Sequence, residues 1–178
     1  MDLLGILNQL VRFLSAQDWA FIMGFFASIA TIGGFWIQRK HNKLSVRPIA
    51  EILVGNYEDR LVAIVENKGT GPLIVTKFRV RDEEGNEKKS GIEFFESGFP
   101  NVVWKMFIHD FEGLAILPGD RKVLLEILEV QQEKTWSSTR KKVRKTLGGL
   151  EATLHYEDIY KQKMPVKSRK FDYFRRGE

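Results

Sequence analysis

The chain has three histidines and no cysteine. His109 stands beside Asp110, and His155 opens the run His155-Tyr156-Glu157-Asp158. A histidine next to a carboxylate is the minimum for general acid–base work. On an extended segment His155 and Glu157 share a face, while Asp158 falls at the turn that follows. A zinc site wants more ligands at defined spacing, and a hydrolase wants a positioned nucleophile with an oxyanion hole. Neither pattern is visible. The lack of cysteine also removes disulfides, thiolate metal ligands and cysteine nucleophiles. The expectation is a non-enzymatic chain with no metal and no cofactor.

Cationic chemistry is better represented. From 47 to 133 there are 11 Lys/Arg against 16 Asp/Glu, but from 134 to 178 there are 13 against 5. Such asymmetry points to an anionic partner, either lipid headgroups or a phosphate-bearing ligand. Two clusters carry it. Arg140, Lys141, Lys142, Arg144 and Lys145 crowd one short segment. At the carboxyl end Arg169, Lys170, Arg175 and Arg176 interleave with Phe171, Tyr173 and Phe174, a mixture that suits nucleic-acid bases and lipid headgroups alike. A last strand with a basic outer face reads the same carboxyl end without any ligand.

These clusters need elements to hold them. EKTWSSTRKKVRKTL, 133–147, has helical spacing: Trp136, Val143 and Leu147 can face a sheet, Arg140 lies between, and Lys141, Lys142, Arg144 and Lys145 are expected to point outward. The rest of 46–174 reads as short apolar runs separated by turn signals such as GNYED, NKGTGP, DEEGNE and LPGD. That pattern predicts an all-β domain, a sandwich or small barrel, with one covering helix. In LIVTKFRVRD, alternation predicts Ile74, Thr76, Phe78 and Val80 on one face and Lys77, Arg79 and Arg81 on the other. Gly69 and Gly71 in NKGTGP are expected to serve a turn by taking positive φ. The loop lacks the ending and the following helix of a phosphate cradle. At the carboxyl end, period 2 pairs Phe171 with Tyr173 and puts Lys170, Asp172 and Phe174 opposite.

Nearer the amino end, Trp19 to Ile37 is an unbroken run of nineteen uncharged residues. As a helix it covers about 28 Å, the thickness of a bilayer's hydrocarbon core. Ser15 and Asp18 form a helix start signal before it. Trp19 and Trp36 mark its two interfaces, and Arg39 and Lys40 follow directly. The expected division is 1–16 an amphipathic interfacial helix, 17–38 a transmembrane helix, 39–46 a basic juxtamembrane linker and 47–178 the β domain. The basic flank places the β domain in the cytoplasm and the amino terminus outside. Within the span, Ala20, Gly24, Ala27, Thr31 and Gly34 recur at intervals of 4, 3, 4 and 3. Small residues on one face let helix backbones approach closely in lipid, so the span is expected to self-associate into a homo-oligomer.

Arg47-Pro48, Asn67 to Pro72, Pro118-Gly119 and Tyr156-Glu157-Asp158-Ile159, placed after a single amino-terminal span, resemble a type of small bacterial inner-membrane protein with an Ig-like cytoplasmic β-sandwich. The match runs over nearly the whole chain, but its motifs are turn chemistry and speak to fold. The layout is also similar to that of membrane effectors in CRISPR and CBASS anti-phage systems, which respond to cyclic oligonucleotides. That similarity implies a sensor that binds an anionic signal through its basic surface and assembles in the membrane to permeabilise it. The competing expectation is a structural or adaptor subunit that holds a protein partner at the inner membrane.

Overall fold

The computed structural model describes residues 15–95, 104–128 and 136–175. They fall into two compact units, Met1–Leu44 and Ser45–Glu178. The amphipathic element expected over 1–16 lies almost wholly outside the described residues.

Helix α1, Ala16–Ser45, has 30 residues. Its start follows the sequence signal: Ser15 N donates to Asp18 Oδ2 at 2.9 Å and Asp18 N donates to Ser15 Oγ at 3.3 Å. The helix does not stop at the basic residues but runs on through Arg39, Lys40 and Lys43, where a linker was expected. It is long and apolar enough to cross a membrane, and none of its apolar window is buried against the described chain. A core helix would bury that surface. The serine and threonine hydroxyls on the span are satisfied internally: Ser28 Oγ donates to Gly24 O and Thr31 Oγ1 to Ala27 O, each at 2.8 Å. Neither leaves an unmet donor.

The second unit is sheet-rich. Its strands are β1 Ala50–Asn56, β2 Arg60–Asn67, β3 Leu73–Arg81, β4 Glu87–Lys88, β5 Trp104–Phe107, β6 Ala115–Ile116, β7 Arg121–Leu128, β8 Glu151–Glu157 and β9 Lys167–Lys170. One sheet has the order β1-β2-β7-β5, the other β4-β3-β8-β9 with β6 also on β3, and every pairing is antiparallel. Helix α2, Trp136–Gly148, and the single 3-10 turns Gly91–Phe94 and Asp172–Arg175 complete it. Ile52, Leu61 and Val65 from one sheet meet Leu73, Phe78 and Leu154 from the other in a single apolar core. Trp136, Val143 and Leu147 add the inner face of α2 to that core.

Three local expectations are corrected. The ladder between β3 and β8 shifts between Val75 and Lys77, so a bulge at Thr76 resets the alternation. Leu73 and Val75 therefore point inward before it and Phe78 and Val80 after it, while Thr76 is exposed. Gly69 and Gly71 do not take positive φ. They are glycines because a Cβ on either would collide with backbone, with Arg47 O in the first case and Val46 O in the second. Finally, β9 stops at Lys170 and the chain tightens into a 3-10 turn. Its period of three buries Phe171 and Phe174 together, with ring centroids 6.2 Å apart, and leaves Tyr173 exposed.

Candidate anion-binding surface and the two ends of the domain

Helix α2 lies across the end of the β domain where β1 stops and β2 begins. Trp136 Nε1 donates to Glu58 O at 3.2 Å. Arg140 Nη2 donates to Asn56 Oδ1 and to Tyr57 O, both at 2.7 Å. Arg144, expected to face solvent, is buried instead, and its Nε donates to Phe174 O at 2.8 Å. The reason is helical geometry: Trp136, Arg140, Arg144 and Leu147 are spaced 4, 4 and 3, which is one stripe. Two of the five basic residues of this cluster therefore fix the helix to the domain. Lys141, Lys142 and Lys145 remain on the exposed side, adjacent at i, i+1 and i+4.

The carboxyl-terminal cluster is divided as well. Arg169 and Lys170 are exposed on β9, with Lys170 opposite Glu151 across the ladder. Arg175 Nη1 pairs with Glu83 Oε1 at 2.7 Å, and that hydrogen bond holds the Glu83 carboxyl below the ordinary glutamate range. Arg176 lies outside the described residues. Two adjoining grooves, of about 390 and 350 Å³, flank Arg175. Lys145 lines the first and Lys170 the second, but acids outnumber bases in each: Asp82, Glu83 and Glu84 in one, Asp82, Glu83, Glu151 and Asp172 in the other. Neither groove is a cationic cradle, and the open lysine face of α2 is the more suitable surface for a polyanion.

The opposite end of the domain is where the chain enters from α1, and the turn motifs singled out in the sequence converge there. Asn67 is fully buried. Its Nδ2 donates to Gly71 O at 2.8 Å and Ile116 O at 3.0 Å, and its Oδ1 accepts from Gly69 N at 3.0 Å and Ile49 N at 3.3 Å. Its backbone carbonyl accepts from Gly119 N at 2.8 Å, in the Pro118-Gly119 turn, and its N–H donates to Asp120 O at 3.0 Å. Thr70 N donates to Arg47 O at 3.1 Å and Thr70 Oγ1 to Ser45 O at 2.5 Å. Ala50 N donates to the Tyr156 hydroxyl at 3.3 Å, and Arg47 Nε contacts Met164 Sδ at 3.3 Å. Residues separated by more than 100 positions thus clamp 45–50 to the domain. No chemistry beyond turn formation singled out Asn67; its four side-chain bonds were not readable from its neighbours.

Among the described residues, no hydrogen bond joins His109 or His155 to its neighbouring carboxylate. His109 is exposed and packs edge-on against Phe107, centroids 5.0 Å apart. His155 sits in the ladder opposite Lys77. Asp158 is buried, and its Oδ1 accepts from Tyr160 N at 2.8 Å and Gln162 N at 2.9 Å, which shapes the turn after β8. Among the described residues no cluster of three His, Asp or Glu side chains could hold a metal ion.

The chain matches no family model, no curated protein and no solved structure.

Proposed function

We propose that this chain is a non-enzymatic membrane-anchored sensor. In this reading α1 crosses the bacterial inner membrane with its amino terminus outside, and the β-sandwich in the cytoplasm binds an anionic signal of the cyclic-oligonucleotide class. Carrying the proposal is one observation: Lys141, Lys142 and Lys145 are exposed on a helix whose other two cations are committed to the fold. The lysine face lies at the end of the domain away from the chain's entry from α1. The longest strand between those ends, β3, has nine residues, or roughly 27 Å at the usual rise. A ligand approaching from solution would meet the lysines at that end of the domain. Binding would offset the repulsion between like-charged faces of neighbouring protomers, so spans that carry the Ala20–Gly34 small-residue face would associate and permeabilise the bilayer.

The experiment is a titration of the full chain in lipid nanodiscs with a panel of cyclic oligoadenylates. Binding that weakens as salt rises is expected. The Lys141→Glu/Lys142→Glu pair should lower affinity by about tenfold or more, equivalent to about 1.4 kcal/mol. Absence of binding across the panel, or unchanged affinity in the double variant, would overturn the assignment.

A second reading, an adaptor that holds a protein partner at the membrane, has its own support. Among the described residues strand β5 is an edge, and Met106 and Phe107 on it are 48% and 40% exposed. An edge strand with apolar side chains is a template for an added strand from another protein. Pull-down of one stoichiometric partner that is lost on Met106→Lys would favour it.

A further inference from the structure

Among the described residues, the clamped end of the β domain carries five exposed apolar side chains. Ile49, Leu117, Ile159, Tyr160 and Val166 are each between 47% and 56% exposed. They come from four separate loops and strand ends, yet hydrogen bonds bring those loops together. Ile49 is bonded through its backbone to Asn67 and Lys68, and Leu117 lies in the turn that closes on Asn67. Ile159 and Tyr160 stand on the turn built by Asp158, and Val166 follows Met164, whose sulfur meets Arg47.

The turn that offers Ile159 and Tyr160 is held in a costly shape. Lys161 has φ of 59°, the left-handed region that a long L side chain rarely adopts. Its N–H donates to Asp158 O at 3.0 Å, and the buried Asp158 carboxylate fixes the turn on both sides. A turn so constrained, with Ile-Tyr-Lys at its tip, presents two apolar residues and a cation together. Arg47, Lys161 and Lys163 are exposed around the apolar group. Asp120, in the turn after Leu117, is the exposed acid at this end, so the three cations outnumber it. Apolar side chains with a tyrosine and an excess of cations match the bilayer interface, where rings sit at headgroup depth and lysines meet lipid phosphates.

Chain continuity selects lipid over other occupants. Only residues 46–49 separate the end of α1 from β1, and Val46 and Arg47 are pressed against Gly71 and Gly69. The end bearing this apolar group is thus the end from which the apolar helix departs.

We propose that the surface formed by Ile49, Leu117, Ile159, Tyr160 and Val166 docks on the bilayer interface and rests the β domain on anionic lipid. This rests on α1 spanning the membrane, as in the function proposed above. Docking is independent of what the lysine face of α2 binds.

Because the chain has no cysteine, single-cysteine variants of the full protein need no background removal. Tyr160→Cys and Leu117→Cys, labelled with an environment-sensitive fluorophore, report on the proposed surface. Ser137→Cys, exposed on α2, reports on the opposite end. All three are reconstituted into nanodiscs of phosphatidylethanolamine and phosphatidylglycerol, and circular dichroism checks that they fold. Expected is a severalfold loss of iodide quenching at 160 and 117 relative to 137, with quenching by doxyl-labelled lipid at 160 and 117 only. Equal iodide access at all three positions would overturn the proposal even though α1 is inserted. Failure of the wild-type chain to float with vesicles would sink the spanning reading and this one with it. If only one reporter is protected, the patch does not dock as a surface and the proposal fails.

Discussion

Arg144 Nε donates to the Phe174 carbonyl at 2.8 Å, joining the middle of α2 to the last 3-10 turn of the chain. Arg144 as a whole is 8% exposed there. A cation that reads as part of a ligand surface is therefore part of the fold. Removing it leaves a buried carbonyl without its donor, which costs about 2–3 kcal/mol. Arg144→Ala should lower the unfolding free energy by that amount, measured by denaturant titration. Lys142→Ala, on the exposed side, should stay within about 0.5 kcal/mol of wild type. Equal, small effects from both variants would mean that Arg144 does not hold the helix.

Asn67 ties the entry segment, the Gly69–Gly71 loop and β6 through four side-chain hydrogen bonds. Asn67→Ala strands two buried carbonyls and two N–H groups, and should destabilise the domain by roughly 3–5 kcal/mol. Asn67→Asp keeps the acceptor but turns both donors into an acceptor facing carbonyls. It should be no better than alanine at neutral pH. If the aspartate variant melts at the wild-type temperature, the Nδ2 bonds to Gly71 and Ile116 are not important.

The contrast between these two residues shows what a linear pattern carries. Eight apolar runs punctuated by Gly, Pro, Asn and Asp correspond to strands of the domain, because turn chemistry is local. The α2 helix is legible for the same reason. Arg144 has the charge of a surface residue but the spacing of an inward one, in line with Trp136 and Arg140, and the spacing decides its place. Thr76 was misplaced because a bulge is decided by the β8 partner strand, which no window of β3 contains. The 3-10 turn at Asp172 broke an apparent period of two, since Phe171 and Phe174 both join the core that α2 also covers, a contact no local window contains. Least legible was the convergence of 47, 67, 118 and 156 at one end, because nothing in sequence distance predicts it.

The Glu83–Arg175 pair gives a pH signature. The Arg175 hydrogen bond depresses the Glu83 carboxyl below the ordinary glutamate value. A group with a lowered folded-state pKa contributes stability above its unfolded value and loses it as pH falls through the lowered one. The pair should therefore stay closed at neutral pH and open only in acid. Carbon-detected NMR titration should place the Glu83 midpoint below that of an unpaired glutamate, and Arg175→Gln should return it upward. Both groups are exposed, so the effect on overall stability should be small. An unshifted Glu83 in the wild type would deny that Arg175 is bonded to it.

The last prediction concerns α1. At about 100° per residue, Ala20, Gly24, Ala27, Thr31 and Gly34 fall within an arc of roughly 80°. Among the described residues, a Cβ placed on Gly24 or Gly34 meets nothing within 4 Å beyond its own stretch of helix backbone. The described residues thus leave room for a larger side chain there, so a loss of association on enlarging it would point to contact with another copy. Thr31 bonds back to Ala27, so a contact through this face would rest on close packing rather than on interhelical hydrogen bonding. Gly24→Ile should lower association of the full chain in vesicles, read by energy transfer between labelled copies. Phe26→Ile, on another face, should leave it unchanged. Single-cysteine Ala27→Cys chains should crosslink under mild oxidation and Phe26→Cys chains should not. Loss of association in both isoleucine variants, or in neither, would show that the small-residue face is not the contact.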